Sequence, residues 1–386
     1  MREVVITGIG QVPVGEHWEI SLRSLAARAI QAARHDAGDP EIQALYVGNL
    51  LAPTVSHQSN LGTLLSDTVA LKGIESWTVE AADASGAAAL RMGYLAIASG
   101  FVDTAVVVGV EKYTDMVGPR LESAVSQMTD YDWEAVEGLT PTAQAGLLMQ
   151  RYLHEFPQPR ELLGAFPLLM HANAVANPNA MFLKAVKPGA YAGAELTNPP
   201  LNIYDTAPYA DGAAAVILTT PDRAQAFPRP LVRISGSSVV IDRLALHDRP
   251  WLLGFEAVSH SLERACRTAG ILPTDVDFLE ISDTFSIFAP LVLEAAGFAP
   301  RGRAAQLAAE GIFNRDGRLP LNAMGGSKGR GHPLAATGMY QVVEAVQQLR
   351  GEAGASQLPR ARRGMTITLG GPASTVVTHI LERRDA

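Results

Sequence analysis

Four short stretches hold the residue types and spacings that could do chemistry. The first is residues 82–86, Ala-Asp-Ala-Ser-Gly, in front of a long apolar run. Residues 78–82 read as a strand end, followed by a tight turn, a helix beginning near Ser85 or Gly86, a break at Gly100, and a second strand over 104–110. Arg91 is the one charge in that helix, and a helix apolar almost all round must be buried on nearly every side. Its unpaired N–H groups and the positive end of its dipole point at residues 83–86, a place to hold a nucleophile or an oxyanion. Asp83 then has two readings: a helix cap, or a carboxylate kept ionised by those N–H groups, able to accept a proton but not to act as a general acid. The second stretch is 325–338, GGSKGRGHPLAATG, where glycines let the backbone turn closely around a ligand before His332, and Pro333 suits the first turn of a helix. A lone histidine is more often structural, and only the spacing favours a functional His332. The third and fourth are EISDTF (280–285), at a strand end, and LGGPAS (369–374), after the last strand. Cys266, in the helical stretch SLERACRTAG, has no motif that marks it as a nucleophile.

The elements that must position these residues alternate between strand and helix, which indicates an α/β chain with a mostly parallel sheet. Strands are expected at 4–10, 44–49, 104–110, 213–219, 276–281 and 365–369, with a further strand in VRISGSS, from 232. Helices are expected at 21–37, 60–69, 142–156, 250–270, 290–297 and 332–349. Between 113 and 200 the pattern changes to methionines, aromatics and Pro-Asn pairs, an inserted, largely helical excursion without a clear strand that covers the substrate side. ASGAAALRMGYLAIASG followed by VVVGV echoes ATGMYQVVEAVQQLRG followed by MTITLGG, so an internal duplication is expected, with halves at 1–225 and 226–386.

VEAADASGAAAL (79–90) is similar to the nucleophile turn of the thiolase superfamily, in which a cysteine precedes Ala-Ser-Gly and an alanine-rich helix; here the cysteine position is Asp83. The histidine stretch resembles that family's GGxxGxGHPxxATG segment, which implies that His332 faces the site and transfers protons, with its pKa raised by the neighbouring Asp83. EISDTF resembles the Glu-x-His-Asp-x-Phe segment of archaeal-type and sterol-carrier-type thiolases, with Ser282 at the histidine, leaving a weaker oxyanion site. The resemblance makes Gly371 an oxyanion-hole donor and places Asn322, Gly326, Ser327 and Lys328 in substrate binding. It implies a thiolase fold: two duplicated βαβαβαββ halves, each with a five-stranded mixed sheet, in α-β-α-β-α layers with the inserted loop domain. It also implies a coenzyme A thioester as substrate or ligand, no covalently bound cofactor or metal, a homodimer or dimer of dimers paired through TAVVVGV (104–110), and a DUF35-type zinc-ribbon/OB-fold partner. Arg301, Arg303, Lys328 and Arg330 are read either as contacts for coenzyme A phosphates or as solvated surface.

With no cysteine at 83, the expected chemistry is carbon-carbon bond cleavage or formation beside a thioester without an acyl-enzyme, of aldol or retro-aldol type, or non-covalent acyl transfer. The alternative is an inactive subunit that binds acyl-CoA or scaffolds its partner; ordinary acetyl-CoA acetyltransferase activity is the weakest reading. Net charge is −8 with no dense basic block, which argues against nucleic acid as a partner. No run is long and apolar enough to span a membrane, the N-terminus lacks a leader pattern, and one cysteine suits a reducing cytoplasm.

Overall fold

The structure, a computed structural model, describes residues 1–225 and 227–384. Residue 226, at which the sequence reading begins its second half, lies outside the described residues. The strands are β1 (Val5–Gln11), β2 (Ala44–Gly48), β3 (Glu75–Val79), β4 (Thr104–Glu111), β5 (Leu196–Asn198), β6 (Leu201–Asn202), β7 (Gly212–Thr219), β8 (Val232–Ile241), β9 (Phe278–Ile281), β10 (Arg363–Gly370) and β11 (Thr375–Arg383).

Nine of them form one hydrogen-bonded array in the order β3-β2-β4-β7-β1-β8-β11-β10-β9, with β5 and β6 as a separate hairpin. The seam is short: β1 meets β8 at Val5↔Arg233 and Ile6↔Val232 only. On one side lie β3, β2, β4, β7 and β1, and on the other β8, β11, β10 and β9. The second half therefore has four named strands where the resemblance implied five; its fifth is reduced to one bridge, Leu279↔Leu321. Pro320 has no N–H to extend the ladder, and Asn322 turns away at φ 45°.

Two helices, Ser85–Ser99 and Thr337–Arg350, lie between the halves and pack against each other, while Leu22–Asp36 and Glu256–Ala269 cover the outer faces. The outer Leu22–Asp36 helix shows how pattern becomes structure: Ser21 caps the Ser24 N–H, and Leu22, Leu25, Ala26, Ala29, Ile30 and Ala33 form its buried stripe. The two central helices cross on glycine. A Cβ at Gly86 would stand 2.6 Å from the Ala335 carbonyl, and one at Gly338 2.8 Å from Ala87 Cβ.

Several expectations change in detail. Pro333 does not open the second central helix, because its φ −86°, ψ 49° conformation is not helical; a 3-10 turn over Leu334–Ala336 comes first. The 113–200 excursion includes β5. The first central helix is not buried all round, since Met92 and Leu95 are exposed. TAVVVGV is buried throughout as expected, but β4 has β2 on one side and β7 on the other, so it has no open edge to offer a second copy.

Candidate active site

The turn before the first central helix is held by Ser85 and not by Asp83. Ser85 Oγ donates to the Ala82 carbonyl at 2.6 Å and accepts from the Ala81 N–H at 2.9 Å. Ala82 sits at φ 51°, a left-handed conformation unusual for alanine, and hands the chain to Asp83. The helix makes no side-chain cap bond, and Asp83 Oδ1 is buried without a hydrogen-bond partner. The cap expected of Asp83 is thus absent, and with it the reason to expect a strongly ionised carboxylate. Burial, and secondarily the charge of Glu80, push the Asp83 carboxyl up to about 7.

His332 is fixed from three sides. Its N–H donates to the Pro208 carbonyl at 3.0 Å, its carbonyl accepts from Tyr113 Oη at 2.6 Å, and Nδ1 lies 3.1 Å from Thr337 Oγ1. Nε2 is left facing Asp83 Oδ2 at 3.8 Å. An imidazolium and a carboxylate at that distance attract, which alone would raise the histidine and lower the acid. Burial outweighs this, because neither Nε2 nor Oδ1 has a partner that replaces water. His332 is pushed down to about 3, by burial first and Arg330 second, opposite to the rise expected from the sequence. At neutral pH the imidazole is neutral, and the carboxyl is divided between its protonated and ionised forms.

Asp83, His332, Gly371, Thr284, Phe285 and Tyr209 line one cleft, with Val125, Met128 and Pro141 contributed by the excursion. Its free volume is about 20 Å³, room for roughly one water. Ser282 does not line it; its Oγ accepts the Leu369 N–H at 2.9 Å and ties β9 to β10. Asn322 also works on the frame, with Oδ1 accepting from the Ile281 N–H at 2.7 Å and Nδ2 donating to the Ile281 carbonyl at 3.1 Å. Gly326 keeps close quarters, since a Cβ there would meet Asn322 Nδ2 at 2.5 Å. The Ser327 and Lys328 N–H groups donate to the Asp283 carboxylate at 2.6 and 3.2 Å, and the Lys328 side chain leads to a different cavity.

Two of the four basic residues, Arg330 and Arg301, are engaged within the fold. Arg330 is fully buried, 2.5 Å from Glu344 and over the Tyr340 ring, while Arg301 donates to the Leu253 and Gly254 carbonyls. Cys266 is buried, with its thiol pushed up to about 11. Two residues the sequence did not single out matter here: Thr337, five positions after His332 in the same motif, and Asp283, which anchors the glycine loop from inside EISDTF.

Residues 4–195 match the family model described as "Thiolase, N-terminal domain", and residues 238–383 match "Thiolase C-terminal domain-like". A protein named acetyl-CoA acetyltransferase from Methanothermobacter thermautotrophicus is 38% identical over 99% of this chain and 100% of its own length. This chain belongs to the thiolase superfamily. A Thauera aromatica protein named benzoylsuccinyl-CoA thiolase subunit BbsB is 27% identical over 96% of this chain and 95% of its own. Sterol carrier protein 2 of Gallus gallus is 28% identical, covering 98% of this chain and 71% of that protein. Among solved structures, "Ltp2-ChsH2(DUF35) aldolase" superposes with a TM-score of 0.86 at 22% identity, over 99% of this chain and 98% of that one.

Proposed function

We propose that this thiolase-superfamily protein makes or breaks a carbon-carbon bond next to a coenzyme A thioester without forming an acyl-enzyme. The observation that carries this reading is the buried Asp83–His332 pair, 3.8 Å apart, whose carboxyl titrates at about 7. A carboxylate is a poor acyl acceptor, since a mixed anhydride is far more reactive than the thioester it comes from. A carboxyl near 7 is well matched to move a proton at neutral pH. In the cleavage direction, ionised Asp83 takes the proton from a 3-hydroxyl group. The bond between carbons 2 and 3 breaks, its electron pair passes into the thioester as an enolate, and the 3-carbon leaves as an aldehyde or ketone. His332, neutral and bonded through Nδ1 to Thr337, presents Nε2–H to the enolate oxygen together with the Gly371 N–H. Asp83 then returns its proton to carbon 2. These assignments exchange the roles expected from the sequence: Asp83 transfers the proton and His332 stabilises charge.

The relative named as an aldolase with a DUF35 component supports a partner of that type, and the 20 Å³ cleft gives it a task, because substrate requires the segment bearing Val125, Met128 and Pro141 to move. We further propose that the protein dimerises through the open edge of β3, where Trp77 is 61% exposed and Met92 and Leu95, on the neighbouring first central helix, are also exposed.

The test is incubation with a series of 3-hydroxyacyl-CoAs, with and without the partner, following acetyl-CoA release and intact protein mass. Release with unchanged mass is expected. Turnover created by Asp83→Cys, where the wild-type protein has none on any acyl-CoA, would sink the lyase reading and leave the scaffold. The same cleft favours that second reading in one respect, since as it stands it admits no acyl group.

A further inference from the structure

On the other side of the 206–208 segment from the Asp83–His332 cleft lies a much larger cavity of about 990 Å³, within the usual range for small-molecule sites. Its walls are apolar, formed by Met181, Phe182, Val186 and Ile203, and the large side chains Leu183 and Ile203 stand 53% and 61% exposed at its mouth. Its floor is polar. Lys328, 5% exposed, makes its one side-chain hydrogen bond among the described residues to the Thr206 carbonyl at 2.5 Å. An ammonium has three N–H donors, so two remain for a ligand.

His171, also 5% exposed, has both ring nitrogens buried without a hydrogen-bond partner, and Thr206 Oγ1 is likewise unpartnered. Burial holds the imidazole neutral, pushing it down to about 4, with Lys328 the second cause; the Lys184 main chain, close to the ring but outside hydrogen-bond geometry, offsets this in part. Buried polar groups without partners are costly, and two around one cavity, the His171 ring and the Thr206 hydroxyl, mark a place where a ligand supplies the missing bonds. Charge selects its sign. Among the described residues no acidic side chain lines the cavity, whereas Lys328 sits on its floor and Lys184 at its rim. The nearby carboxylates are already engaged: Asp283 with the Ser327 and Lys328 N–H groups, and Asp205 with Arg160, Tyr191 and Ser286.

We propose that this cavity is a second ligand site that takes an aliphatic monocarboxylate, with the chain in the apolar sleeve and the carboxylate between Lys328 Nζ and the His171 ring. The site is separate from the Asp83 cleft and does not depend on the reaction proposed there.

Calorimetric titration of the whole protein with decanoate and with decanol tests it. Decanoate should bind at least about tenfold more tightly than decanol, because a charge-assisted bond to Lys328 is lost with the carboxylate. Lys328→Met should weaken decanoate by about tenfold or more and leave decanol unchanged, whereas Asp83→Asn should leave decanoate binding as it is. Since Lys328→Met could disturb its loop, Ile203→Asp at the mouth serves as a second variant and should also abolish binding. Equal affinity for acid and alcohol, or loss of decanoate binding on Asp83→Asn, would overturn the proposal. So would failure of decanoate to bind, and the exposed Leu183 and Ile203 would then belong to a protein contact.

Discussion

The two central helices are the same device used twice, with different approaches. Each leads into a strand, lies between the two halves of the sheet, and ends on a left-handed glycine, Gly100 at φ 92° and Gly351 at φ 79°. They differ in what precedes them. The first is entered through a turn closed by Ser85, which leaves Asp83 buried and unpaired. The second is entered through a glycine loop pinned by Asp283 and a 3-10 turn, which leaves His332 anchored on three sides. The duplicated part supplies position, and the unlike approaches supply chemistry. The first approach leaves its carboxyl without a hydrogen bond and so sets a pKa; the second anchors His332 everywhere but at Nε2 and so sets an orientation.

On that division of labour, charge at 83 matters most. Asp83→Asn should lower turnover by about a hundredfold or more, the usual range for losing a proton-transfer group, while the fold persists. It should also remove the limb of the kcat/KM profile that rises with pH through about 7 as the Asp83 carboxyl ionises. A profile unchanged by the substitution would return the proton to His332. His332→Ala should cost about tenfold to a hundredfold by loss of a hydrogen bond to the enolate, without shifting that inflection. A larger loss than Asp83→Asn produces would reverse the two roles.

The same carboxyl predicts a stability effect. With a folded pKa of about 7 against roughly 3.9 unfolded, Asp83 contributes stability that is full below about pH 4 and lost as pH rises through about 7. Asp83→Asn, neutral throughout, should therefore gain on the wild-type protein between pH 5 and pH 8, on the order of a few kcal/mol in urea unfolding. A constant difference would mean that the carboxyl is ionised across the range. Gly86→Ala attacks the crossing itself: its Cβ would lie 2.6 Å from the Ala335 carbonyl, and a loss of about 1–3 kcal/mol is expected, with activity falling alongside. The smallest effect belongs to Thr337→Val, which removes one neutral bond worth about 1 kcal/mol and should slow turnover several-fold with Km unchanged.

Much of the frame was legible because it is written in local patterns: glycine before histidine, small residues where helices cross, unbroken Val and Ala in β4. The charge states were not. Asp83 before a helix has the sequence signature of a cap, and only the finished turn shows Ser85 closing it, no side chain capping the helix and Asp83 left dry. Ser282 and Asn322 were expected at the substrate because of where their motifs lie, yet strand pairing consumes both side chains. The cavity above Lys328 needed the 181–186 and 203–208 segments brought together from outside any motif.

Backbone contact at Gly86 and Gly338 also bears on inheritance. The close approach of the two helix starts that sets the gap between positions 83 and 332 rests on the missing side chains at 86 and 338, and not on a hydrogen bond from the side chain at 83. Exchange of residue 83 should therefore leave the spacing in place, so that reaction type and architecture can vary separately. One lineage can drift in what it catalyses while its skeleton stands still.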